Sequence, residues 1–271
     1  MTNFSKSNAI EFEKQWERIR DTILSVFDLI ISFGFTESTL TSKNALIPII
    51  YYLYHCNLDH SFNTRVEFIE DRANIKKWLH ASLVKRLFGG TSDNVLSQIR
   101  KAFTEDVTKT PIPDGLSHFP VDTVNSQLKK DSGISDEFIE ELLMTQKDNK
   151  YAFSLLALLF PNLDFKNNNF HKDHLHPENS FSVLTEDLGV KIDWKEYNSL
   201  KNLQMLDANE NMSKNAESLD IWVEKETRTK DRTSFLINHH IPDVDLGLDN
   251  FIEYLAKRSD ILKAQLKELL T

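Results

Sequence analysis

The chain has 271 residues, 40% hydrophobic and 27% charged, enough for one large domain or two modest ones with real cores. With only 7 Gly and 7 Pro, the composition argues against a loop-rich all-β protein and for helices. The single cysteine excludes a disulfide framework or a thiolate metal cluster within the chain and suits a reducing, cytoplasmic setting, and the net charge of −9 argues against nonspecific coating of nucleic acid.

The first twenty residues lack the apolar stretch of a signal peptide. The longest apolar run, ALIPIIYYLY, is about half the length of a membrane span, so a soluble protein is expected. Over 8–33, Ile10, Phe12, Trp16, Ile19, Ile23, Val26, Phe27, Ile30 and Ile31 recur at three- and four-residue steps, which predicts a helix ended by Gly34. A second helix is expected over 43–56, with Pro48 as a kink or early-turn residue and Cys56 as a buried small apolar residue. Further helices are expected near 62–87, 91–105, 121–130 and 134–145. Residues 1–150 thus read as an all-helical domain.

Within it, residues 75–101 carry Lys76, Lys77, Lys85, Arg86, Arg100 and Lys101 against Asp93 alone, a net of +5. This is either the solvated face of two helices or a strip that contacts phosphates, in which Lys76, Lys77, Lys85 and Arg86 are the nucleic-acid-binding candidates.

The character changes near 150, and 151–271 is read as a second domain. YAFSLLALLF begins as a buried helix, and the chain from Phe160 is expected to be extended. Residues 169–181, NFHKDHLHPENSF, then concentrate three histidines, an aspartate and a glutamate. A short apolar piece, Leu203–Leu206, leads to a helix starting near Asn211, whose buried face would carry Met212, Leu219 and Trp222. INHHIPDV is expected to be a loop, and 249–270 a final amphipathic helix capped by Asp249 and packed through Phe251, Ile252, Leu255, Ile261, Leu262 and Leu266. The fold class is α+β, mostly α.

Two polar clusters carry the chemistry. One holds Asp173, His174 and His176; the other holds Asn198, Asn202, Asn209, Asn211 and Lys214. If a hairpin carries the first, and a strand and helix start carry the second, Asp173 and Asn211 can share a hard cation such as Mg²⁺, with Mn²⁺ as an alternative. His174, on the other face of an extended chain, stays off the metal and can deprotonate a water. Asn202 would tie the loop around His174 by side-chain-to-backbone hydrogen bonds, and Lys214 could reach a phosphate. Blander readings exist for each part: Asp173 in a surface loop, Asn209 or Asn211 as a helix cap, and His239 and His240 as a packed pair. His171, His174 and His176 could also form a three-histidine zinc site. No nucleophile elbow, P-loop, dinucleotide glycine pattern or paired-cysteine motif occurs.

The segments DHLHP, NLQML and NENMSK resemble the three parts of an HNH (ββα-metal) nuclease. More narrowly, FHKDHLHPENSF, YNSLKNLQMLDANENMSKN, INHHIP and the final helix resemble the C-terminal half of GmrSD-type modification-dependent restriction and anti-phage proteins. LTSKNALIPIIYYLYH and IKKWLHASLVKRLFGGTSDNVLSQIR resemble the helical region before the nuclease there. That resemblance implies Asp173 and Asn211 as metal ligands, His174 as general base, Asn202 as the middle residue of the motif, and DNA as substrate. His176, followed by Pro177, is read either as lining the cleft, a nucleic-acid-binding candidate, or as only shaping the turn. The family's Asp-Gly-Gln-Gln-Arg motif for nucleotide hydrolysis is absent, so the chain reads as an effector half, a stand-alone or split version, or a truncated form, with a separate ParB-like NTPase and sensor subunit as a candidate partner. The alternative is a DNA- or partner-binding module without catalysis.

Overall fold

The computed structural model describes residues 5–90, 92–105, 110–111, 116, 118–128 and 134–270. It is mostly helical, with two two-stranded sheets, and divides into two compact units, 1–132 and 133–271.

In the first unit, the helix expected over 8–33 is two helices, α1 (Lys6–Lys14) and α2 (Trp16–Ser32), broken at Gln15. Ser5 caps α1, and Gly34, at φ 86°, ends the run beyond α2. Helix α3 (Ile47–His55) carries Pro48 in its first turn, where the missing N–H costs nothing. Then follow α4 (Ile69–Val84), α5 (Ser92–Arg100), the short strands β1 (Thr104–Glu105) and β2 (Thr110–Pro111), and α6 (Val121–Gln127). The β1–β2 pair departs from the all-helical expectation. Buried Asp71 accepts from the Tyr52 hydroxyl at 2.7 Å and from Phe119 N at 2.7 Å, joining α3, α4 and the approach to α6. Cys56 is only half-buried, and burial pushes its thiol up to about 11, so it is a poor nucleophile at neutral pH.

The second unit begins earlier than 151. Its first helix, α7 (Asp136–Leu143), buries Ile139, Leu142 and Leu143 and packs on the last helix, α14 (Phe251–Leu270), which is why 133–150 belongs with this unit. Helix α8 (Ala152–Leu159) is buried on every side, as its sequence, apolar except for Ser154, requires. The chain after Phe160 turns rather than extends, and Phe153, Phe165 and Phe170 close into an aromatic group. Strand β3 (His171–His174) follows, then the short helices α9 (Ser180–Ser182) and α10 (Trp194–Tyr197). Strand β4 (Leu203–Leu206) pairs antiparallel with β3, His171 opposite Leu206 and His174 opposite Leu203. Helix α11 (Ala208–Lys214) packs on β3.

The helix expected near Asn211 starts three residues earlier and is split. Asp207 caps α11, and Asn215, at φ 47°, separates it from α12 (Leu219–Glu226). Leu219 and Trp222 are buried as expected, but Met212 is 69% exposed because the break turns it away from α12's face. Part of the expected INHHIPDV loop is helix, α13 (Arg232–Asn238). Helix α14 buries Phe251, Tyr254, Leu255, Leu262 and Leu266; Ile252 is 51% exposed and lies off this stripe. Among the described residues no helix is long and apolar enough to cross a membrane.

Candidate active site

Strand alternation sends Asp173 and His174 to opposite faces of the β3–β4 pair, and each side chain is held differently. Asp173 Oδ2 lies 2.9 Å from Lys214 Nζ. The carboxylate side chain keeps 22% of its surface exposed, whereas that of Lys214 keeps none. The Lys214 ammonium also donates to His174 O at 2.8 Å and stands 5.8 Å from the centre of the Trp222 ring. Lys214 therefore does not face solvent for a phosphate, contrary to the sequence expectation: it neutralises Asp173 and ties α11 to β3.

His174 is buried, with 1% exposure. Its Nε2 lies 2.9 Å from Asn198 Oδ1, and its ring stacks near Tyr197 with Trp194 alongside. Burial holds its pKa below the usual histidine range, and the hydrogen bond to Asn198 offsets this in part.

Asn202 makes the side-chain-to-backbone bonds expected of it, but to His176. Its Oδ1 accepts from His176 N at 3.0 Å, and its Nδ2 donates to His176 O at 3.1 Å. Leu175 N donates to Asn202 O at 2.8 Å, and the Tyr197 hydroxyl donates to the carbonyls of His176 and Pro177. The turn leaving β3 is thus clamped immediately after His174. The His176 ring is buried between Phe251 and Tyr254, and burial lowers its pKa to about 3. It cannot line a nucleic-acid cleft, so that candidate is corrected to a packed, neutral histidine.

Asn211 is half-buried on α11, three residues before Lys214 and so on the helix face that turns toward β3. The cap that a blander reading gave to Asn209 or Asn211 belongs to Asp207, which accepts from Asn209 N at 2.7 Å and Glu210 N at 3.0 Å. No side-chain hydrogen bond of Asn211 occurs among the described residues, which leaves its amide oxygen available. Among those residues no group of three or more His, Cys, Asp or Glu side chains could hold a metal, so the three-histidine zinc site is not formed. His171 is exposed, and His174 and His176 are engaged elsewhere. Asp173 and Asn211 offer one carboxylate and one amide oxygen, the donor types that a hard, largely hydrated ion takes.

His239 and His240 pack: His239 Nδ1 lies 3.3 Å from Gln204 Oε1, and His240 Nε2 lies 2.9 Å from Leu159 O. Arg258, fully buried on α14, donates to the carbonyls of His240, Leu200, Lys201 and Leu203. It fastens the entry to β4 and went unnoticed in the sequence. The signal was an arginine on the stripe of Phe251, Leu255, Leu262 and Leu266. In the first unit, Lys77 and Arg86 are exposed, but Lys76 and Lys85 are half-buried. Nine residues separate Lys76 from Lys85, roughly half a turn around a helix, and α4 ends before Arg86, so the four do not form one strip. Burial lowers Lys76 to about 8.

No protein-family model matches this chain, and no curated protein matches it in sequence.

Proposed function

We propose that the second unit is a metal-dependent endonuclease of the HNH type, hydrolysing DNA phosphodiester bonds as the effector of a restriction or anti-phage system. The observation that carries this reading is the order strand, strand, helix: Asp173 and His174 adjacent on β3, Asn202 leading into β4, and Asn211 on α11. Asp173 and Asn211 are the residues that would hold a divalent cation, Mg²⁺ or Mn²⁺. Bound there, it would supply positive charge for the departing 3′ oxygen. His174 takes a proton from water, the water oxygen bonds to phosphorus, the bond to the 3′ oxygen breaks, and that oxygen takes a proton from solvent, leaving a 5′ phosphate and a 3′ hydroxyl. Asn202 holds the turn that fixes His174, and Lys214 pairs with Asp173 and fixes its position.

A second reading has specific support. Burial of His174 and neutralisation of Asp173 by Lys214 also suit a unit that binds DNA, or docks on a separate ParB-like NTPase and sensor subunit, without cutting. Plasmid nicking with Mg²⁺ or Mn²⁺, run beside the same assay in chelator, separates the two. Metal-dependent nicking supports the nuclease, and retained DNA binding with no cleavage in any metal supports the module.

A further inference from the structure

The polar chain leading into His174 fixes where the protons sit when followed from its far end. Gln146 Nε2 lies 3.0 Å from Met144 O and 2.6 Å from Lys195 O. Two carbonyl oxygens can only accept, so this end of Gln146 is the amide nitrogen and Oε1 is an acceptor. The Asn198 atom 3.3 Å from Gln146 Oε1 must therefore donate, which makes it Nδ2. Asn198 Oδ1 then faces His174 Nε2 at 2.9 Å, and an amide oxygen can only accept. In the neutral ring the proton belongs on Nε2, and Nδ1 carries the free lone pair. No hydrogen bond to His174 Nδ1 occurs among the described residues.

We propose that Asn198, oriented by Gln146, is a positioning residue that holds His174 as the Nε2-protonated tautomer and so presents Nδ1 as the proton acceptor. This rests on the reading of His174 as general base. A water proton goes to Nδ1 as the water oxygen bonds to phosphorus and the bond from phosphorus to the 3′ oxygen breaks, that oxygen taking its proton from solvent. Nε2 keeps its proton, and its bond to Asn198 becomes charge-assisted in the imidazolium. Asn198 itself acts only through the ring.

Nitrogen–proton correlation spectra of the histidine-labelled full chain, recorded above the ordinary histidine titration range, read the tautomer directly. The His174 signals are identified by their loss in His174→Gln. The expected wild-type pattern is a protonated Nε2 and a bare Nδ1. Asn198→Leu is expected to give a mixture of tautomers and to lower kcat for nicking about tenfold or more with KM held, since a misplaced proton blocks the base. Asn198→Asp, which still accepts from Nε2, is expected to keep the wild-type tautomer. A wild-type His174 protonated on Nδ1 overturns the proposal without any Asn198 variant having to fold. So does a folded Asn198→Leu with an unchanged pattern. If Asn198→Leu does not fold, Gln146→Leu replaces it, and an unchanged tautomer there also counts against the proposal. Nicking with a tautomer indifferent to Asn198 sinks this inference alone, whereas the Asn198-dependent tautomer without nicking sinks only the nuclease reading.

Discussion

Lys214 Nζ stands 2.9 Å from Asp173 Oδ2 with no exposed surface of its own, so the lysine of NENMSK is part of the framework of the site. Its ammonium is also bonded to His174 O. Removing it leaves a partly buried carboxylate uncompensated and a strand carbonyl unpaired. Lys214→Met is therefore expected to cost about 3 kcal/mol of stability. Urea denaturation checks this. A variant as stable as the parent would contradict this framework role.

Asn202→Ala removes both bonds to the His176 backbone and leaves a buried N–H and carbonyl partly unmet. The expected loss is about 2 kcal/mol, with slower cleavage because the turn after His174 loosens. Asn202→Asp keeps the acceptor but loses the donor, and should fall between. Thermal unfolding of the three chains orders them.

Stability should fall in acid through the buried histidines. Burial holds His176 and His239 near about 3, well below the usual value of about 6.5 in an unfolded chain. Between those values the unfolded state binds more protons, so stability present at neutral pH is lost as pH falls through about 6.5. Each such histidine contributes a slope of up to about 1.4 kcal/mol per pH unit. His176→Phe keeps the backbone bonds from Asn202 and an aromatic ring between Phe251 and Tyr254, and should flatten the dependence. An unchanged slope in urea midpoints across that range would show that His176 is not the group responsible.

Arg258 donates to four backbone carbonyls with a planar fork that lysine cannot reproduce. Arg258→Lys is expected to lose about 3 kcal/mol, and Arg258→Ala more, because the carbonyls before β4 are left buried without donors. Hydrogen exchange at Leu203 and its neighbours reports the loss locally. Retained protection there in Arg258→Lys would contradict the clamp.

How much of this was legible in the sequence follows from the range of the interactions. The amphipathic stripe of α14 and the apolar Leu203–Leu206 are local patterns, and both appear as elements. The start of α11 was misplaced because Asp207 and Asn211 are equally good caps by type, and only the fold decides that Asp207 serves. The burial of His174 was not legible for a different reason. A polar residue on a short strand reads as solvent-facing, but Tyr197, Trp194 and Asn198 return over it from distant sequence. The unit boundary was misjudged because the tie between α7 and α14 spans most of the second unit. Gln146, fifty-two residues from Asn198, is a contact that spacing could not suggest.

The central claim is that His174 is the base of a metal-dependent cleavage, and plasmid nicking by wild type and His174→Ala tests it most directly. Because His174 is buried, the variant is first matched to wild type in fold by circular dichroism and in DNA binding. The account predicts nicking with Mg²⁺ or Mn²⁺ that stops in chelator and falls about 10²–10⁴-fold in His174→Ala, with no rescue at high Mn²⁺. Asp173→Ala should lose as much but recover in part with Mn²⁺, since it weakens metal binding and leaves the base in place. Equal cleavage by wild type and His174→Ala across metals and pH would contradict the account.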